Sequence, residues 1–106
     1  MEETALIINY PAIFNYDEYD ASHIKYGIAI SFPDVPSAYS CARDDAEGIK
    51  MALDVLQLCL YGVPVEKLPP PTPHEKIKMS KNEKVFVIPY DPNAPEISAI
   101  QIFQSD

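Results

Sequence analysis

Apolar and polar positions alternate with a period of two along Thr4–Phe14. Leu6, Ile8, Tyr10, Ala12 and Phe14 fall on one side, and Ile7, Asn9, Pro11 and Ile13 on the other. That period predicts a first strand, because successive strand side chains point to opposite faces. Pro11 has no N–H to donate, so its nitrogen must face away from the neighbouring strand or sit at a bulge. Asn15–His23 is polar and acidic and predicts a hairpin connection or a short exposed excursion. The clearest alternation comes next. Ile24, Tyr26, Ile28, Ile30 and Phe32 share one face, and Lys25, Gly27, Ala29 and Ser31 share the other. This predicts a second strand with one side against the core and the other thinly covered. Pro33 and Pro36 end it in a rigid turn around Asp34, and Ala38–Ala42 predicts a short third strand.

From Asp45 the period lengthens to that of a helix. Asp44 offers the N-cap, and Asp45 and Glu47 place negative charge at the positive end of the helix dipole. Gly62 and Pro64 predict a stop after Tyr61. At ~100° per residue, Ile49, Ala52, Leu53, Leu56, Cys59 and Leu60 form a core stripe, and Met51, Val55 and Leu58 a second apolar stripe roughly opposite it. A helix resting on one sheet should not need both. Either Leu68–Pro71 folds back over the second stripe, or another chain meets it. Val63–Asn82 carries five of the eleven prolines and then a Lys-rich stretch, and predicts a long surface loop. Lys84–Tyr90, with Val85, Phe86, Val87 and Ile88 in sequence, predicts a short apolar strand, central or near-central in the sheet, and Ile97–Phe103 reads equally as a weak strand or a docked tail. The expected fold is α+β, a single small β-β-β-α-β domain with one covering helix. Three strands form an antiparallel meander, and the helix crosses over so that the fourth strand lies parallel beside the first. One sheet face is then left without a helix.

Composition narrows the function. The 106 residues suffice for one domain that folds without staples. With 47% apolar and 23% charged residues, the balance is that of a globular protein. The net charge of −8 is uneven. Residues 1–66 hold eleven acids and three bases, whereas residues 67–106 hold five of each. An acidic chain repels phosphate and attracts cationic partners, which argues against nucleic-acid binding by this chain alone. Cys41 and Cys59 have no metal-ligand spacing and predict reduced, structural thiols. Glu2 and Glu3 do not suit a signal peptide, and no apolar run reaches a membrane span. A cytoplasmic protein is expected.

Catalytic chemistry is not legible. His23 and His74 have no nucleophile at a recognisable spacing, and the three glycines stand too far apart for a phosphate loop. Asp44, Asp45 and Glu47 read first as capping residues and Asp34 as a turn residue, with Pro70–Pro73 a rigid connector. No enzyme activity, metal or cofactor is expected.

Four segments carry a family likeness. Tyr10-Pro-Ala-Ile-Phe14 resembles the Y-x-A-x-Φ opening (Φ apolar) of the HicB-like antitoxin domain, and Ile28-Ala-Ile-Ser-Phe-Pro-Asp-Val-Pro36 its strand ending in F-P-D-L-P. The helix from Asp45 to Gly62 is similar to the family's E-E-A-x-x-x-A-x-E-A-L-x-x-x-L-x-G helix, and Pro69-Pro-Pro-Thr-Pro73 stands where the family has I-P-x-P-S. The likeness spans about residues 4–90. Departures are Ser37-Ala38 for Gly-Cys, Ala42-Arg43-Asp44 for Gly-Asp-Thr, Gly48 for the second glutamate of the helix motif, and a longer link between the first two strands.

The resemblance implies a partial ribonuclease-H-like fold without its catalytic residues, in a domain at 1–90 with a tail at 91–106. It also implies pairing with a HicA-like toxin, a small basic protein that cleaves mRNA, whose RNA-binding and catalytic surface the antitoxin occludes. Many relatives carry a C-terminal DNA-binding module. The sixteen residues after Tyr90 hold two prolines and leave room for at most one helix of ~11 residues, so no such module is expected. Toxin contact is expected at Asp34, Asp44, Asp45 and Glu47. Self-association into a dimer or tetramer is expected at Met51, Val55 and Leu58, with Val55→Glu dissociating the oligomer without unfolding it. The alternative is an orphan oligomerisation or regulatory domain with no toxin partner.

Overall fold

The computed structural model describes residues 7–92. Its elements are β1 (Ile8–Asn15), β2 (Ile28–Ser31), β3 (Tyr39–Ala42), α1 (Asp45–Leu60) and β4 (Glu83–Tyr90), with single 3-10 turns at Val65–Lys67 and His74–Lys76. The strands form one antiparallel sheet in the order β3-β2-β1-β4, and α1 covers one face. This is the expected α+β, β-β-β-α-β domain. Residues 1–6 and the segment Ile97–Phe103 lie outside the described residues.

The period of two sorts the sheet as its sequence requires. Tyr10, Ala12 and Phe14 of β1, Ile28 and Ile30 of β2, Ala42 of β3 and Ile88 and Tyr90 of β4 are buried together against Ala52, Leu56 and Leu60 of α1. Burying one such large apolar side chain contributes roughly 1.5–3 kcal/mol. Pro11 and Pro89 oppose Val87 and Asn9 in the register, two pairs apart. Antiparallel pairs alternate between hydrogen-bonded and non-bonded, so both prolines fall on the same class of pair. Both donorless nitrogens can then point away from the β1–β4 ladder.

Three expectations are corrected. β4 lies beside β1 as expected, but antiparallel to it and at the edge of the sheet rather than at or near its centre. The helix alone would deliver the chain to the end where β1 starts. Residues 61–82 then run back along the molecule, far enough for the Tyr16 amide to donate to the Asn82 carbonyl (2.8 Å) at the end where β1 finishes. β2 is also shorter than the alternation suggested. Ile24 is 75% and Tyr26 52% exposed, because the Asp20 carboxylate accepts from the amides of Ser22, Ile24 and Lys25 and holds them in a turn rather than a ladder. Its acidity is strengthened by these bonds, the Ser22 hydroxyl foremost.

The third correction concerns the helix. Met51 and Val55 pack against the core, and only Leu58, 66% exposed, faces outward. Gly48, Ala52 and Leu56 are buried in the middle of one broad apolar arc whose flanks are Met51 and Val55 on one side and Ile49 and Leu53 on the other. The centre shifts because Gly48 rests on the Phe14 ring, where a Cβ would overlap the ring carbons.

The Pro-rich connection is anchored at two points. The Tyr10 hydroxyl donates to the Pro69 carbonyl (2.7 Å), and Asp34 accepts from Thr72. β2 pairs with β1 only at Ile13–Asn15, so the first half of β1 has no strand on that side. The segment crosses there, from the helix-covered face to the open one, where Pro71–Glu75 meet Asn9, Pro11 and Val87.

Candidate functional site

The carboxylates singled out by the sequence separate into two places. Asp34 lies near Tyr10, at the start of β1, with both oxygens engaged by Thr72. Asp44, Asp45 and Glu47 sit at the start of α1, beside Tyr16 just past the end of β1. The six residue steps from Tyr10 to Tyr16 span about 20 Å of strand.

Each helix-start carboxylate is held. Asp44 has extended backbone and caps α1 by accepting from the Glu47 amide (2.8 Å). Glu47 takes a two-point contact from the Arg43 guanidinium (3.0 and 2.6 Å) and accepts from the Arg43 amide. That guanidinium, first through its hydrogen bonds, holds the Glu47 carboxyl below the usual carboxylate range. Asp45 accepts from the Tyr16 hydroxyl (2.5 Å) and lies 3.6 Å from the Lys84 ammonium. Burial, and then this bond, push the Tyr16 phenol well above its ordinary value. The Lys84 ammonium also stands over the Tyr16 ring, 5.2 Å from its centre, as Arg43 does over Tyr26 at 4.9 Å.

Sequence reasoning missed the second wall of this site. The connection after β1 brings Tyr16, Tyr19 and His23 to Asp44, Asp45 and Lys84 around an open cleft of about 400 Å³. The Tyr19 hydroxyl and the His23 Nε2 are 2.7 Å apart, and His23 holds a left-handed φ of 62°. Asp17 is tied back to Asn82 (3.0 Å) and Asn15 to Glu83 (2.9 Å). Asp17, Glu18, Asp20, Asp44, Asp45, Glu47 and Glu83 therefore belong to elements meeting at one end, against Lys25, Arg43 and Lys84. The available signal was the exposed, acid-rich Asn15–His23 stretch. What the sequence did not show was that it folds over the helix start.

Among the described residues, no group of three or more His, Cys, Asp or Glu is placed to hold a metal ion. Cys41 and Cys59 are free and half-buried. His74 is exposed beside Glu75. Of the residues expected to mediate self-association, Leu58 alone presents its side chain outward. No described helix is long and apolar enough to cross a membrane. A scan of protein-family models finds none that matches this chain. No curated protein matches it significantly either.

Proposed function

We propose that this chain is a protein-binding module of the HicB-like antitoxin kind, which captures a small basic partner of the HicA-like, mRNA-cleaving type through the acidic end at the start of α1. The observation that carries the reading is the fixed presentation of Asp44, Asp45 and Glu47 beside the open cleft with Tyr16, Tyr19 and His23. Carboxylates held by their own neighbours lose little conformational freedom when a partner's lysines and arginines arrive. Aromatic faces next to them receive the same cations, as Tyr16 and Tyr26 already receive Lys84 and Arg43. Carboxylates and tyrosines so arranged offer a ribonuclease the counter-charges it would otherwise find on RNA. Such complementarity raises the association rate and excludes wrong partners.

The test is calorimetry of the chain against the basic protein encoded by the adjacent reading frame, together with cleavage of a reporter mRNA. Replacing Asp44 and Asp45 with Asn and Glu47 with Gln should weaken capture, by about 1–3 kcal/mol in all if the contacts lie at the interface rim, and flatten its salt dependence. Unchanged affinity in the triple variant, or failure of the wild-type chain to block cleavage, rejects the proposal.

A further inference from the structure

β4 is an edge strand, and the phase of its pairing with β1 decides which of its backbone groups are left over. The Tyr16 amide donates to the Asn82 carbonyl (2.8 Å), one step beyond the pair Asn15–Glu83, so that step is a hydrogen-bonded pair. Bonded and non-bonded pairs alternate along an antiparallel ladder. Lys84, Phe86, Ile88 and Tyr90 therefore bond β1, whereas Glu83, Val85, Val87 and Pro89 turn their backbone groups outward from the sheet. The Glu83 amide reaches back to the Ser80 carbonyl (3.3 Å), and Pro89 has no N–H. Among the described residues, nothing bonds the outward groups of Val85 and Val87. An edge with free donors and acceptors is a template for another strand, and Pro89 blunts only one end of this one.

We infer that the occupant is β4 of a second copy, paired antiparallel about Phe86 so that Val85 of each copy lies opposite Val87 of the other. The register follows by elimination. Outward residues can bond only outward residues, so the twofold axis must pass through one residue of β4. Centred on Lys84, the pairing sets two ammonium groups opposite one another, which repel. Centred on Val85, it opposes Val87 to Glu83, whose amide is already engaged. Centred on Val87 or Ile88, it sets Val85 or Val87 against Pro89, which cannot donate. Centred on Phe86, Val85 and Val87 exchange both N–H···O=C bonds, and every free donor and acceptor is used. Phe86 then meets Phe86 of the second copy as a non-bonded pair, the kind whose side chains lie closest, beside the Phe14 ring 4.4 Å away. Aromatic cross-strand pairs of this kind stabilise a sheet. The four strands of each copy thus join into one continuous sheet, independently of any partner at the start of α1.

Sedimentation equilibrium and NMR on the full chain test this. The wild type should form a dimer that dissociates on dilution. In a mixture of labelled and unlabelled chains, the Phe86 α-hydrogen should show a contact to the Phe86 α-hydrogen of the other copy, because α-hydrogens approach most closely in non-bonded antiparallel pairs. Val87→Pro removes an outward N–H and no bond to β1, and should weaken the dimer by at least about tenfold. The Ile28 and Ile30 methyls report whether that variant remains folded. If it does not, the Phe86 contact in the wild type decides alone. Leu58→Glu, on the outer side of α1, should leave the dimer intact. A monomer up to the millimolar range, a dimer without the Phe86 contact, or a dimer that a folded Val87→Pro variant retains at full strength would overturn the inference.

Discussion

The Asp34 carboxylate accepts two hydrogen bonds from Thr72, one from its amide (2.8 Å) and one from its hydroxyl (2.6 Å), and so ties the turn after β2 to a residue 38 positions later. The bonds fix the Pro-rich segment where it crosses the unpaired half of β1. Hydrogen bonds to a charged group contribute more than neutral ones, about 1.5–3 kcal/mol. Asp34→Ala should therefore lower stability by about 2 kcal/mol in denaturant melts. Thr72→Val should cost less, since it keeps the amide bond. In a double-mutant cycle the two losses should be strongly non-additive. Additive losses would show that the contact is not the anchor.

Val55 and Leu58, one turn apart, should respond oppositely to a charge. Val55 is partly buried and packs against the core, so Val55→Glu sets a carboxylate against apolar neighbours and should cost about 1–3 kcal/mol. Leu58 faces outward, and Leu58→Glu should change stability by no more than about 0.5 kcal/mol. Paired thermal melts decide it. If the chain self-associates through this helix, Leu58→Glu is thus the informative variant, because Val55→Glu confounds dissociation with unfolding.

Three of the seven tyrosines should ionise late. Burial, as the largest cause, raises the phenols of Tyr10, Tyr16 and Tyr90 above the ordinary value of 10.0, with Asp34, Asp45 and Asp91 adding to it in turn. Above pH 10 the unfolded chain releases these protons while the folded chain keeps them. Stability from these groups is thus fully present below pH 10 and declines as pH rises through the folded values. An absorbance titration of tyrosinate should show a late phase that coincides with alkaline unfolding. Tyr16→Phe should remove part of that phase, and at neutral pH it should cost about 1 kcal/mol through the lost bond to Asp45.

The parts of the fold legible in the sequence were those set by local periodicity. The alternation through Tyr10, Ala12 and Phe14 gave β1 its core face, and Asp44, Gly62 and Pro64 bounded α1 almost to the residue. Local pattern could not orient β4, because a connection as long as 61–82 reaches either end of β1. Nor could it show that Asp20 would capture the amides of Ile24 and Lys25 and shorten β2. The candidate site was half legible for the same reason. Asp44, Asp45 and Glu47 are neighbours in sequence, whereas Tyr16 reaches Asp45 only through the tertiary fold.

Gly48 is the position where local propensity and packing disagree most sharply. Taken alone, a glycine inside a helix costs about 1 kcal/mol relative to alanine, so Gly48→Ala should stabilise α1. The structure opposes this, because the new Cβ would overlap the ring of Phe14. That ring is fully buried, 4.4 Å from the ring of Phe86, and has little room to retreat. Overpacking a filled core costs about 1–3 kcal/mol, which exceeds the propensity gain. Gly48→Ala should therefore leave the protein up to about 2 kcal/mol less stable. Phe14→Leu should restore part of the loss in the double variant by vacating ring volume, although Phe14→Leu alone is destabilising. Denaturant midpoints of the two single variants and the double variant provide the measurement. A Gly48→Ala protein more stable than wild type would mean that the helix does not rest on Phe14.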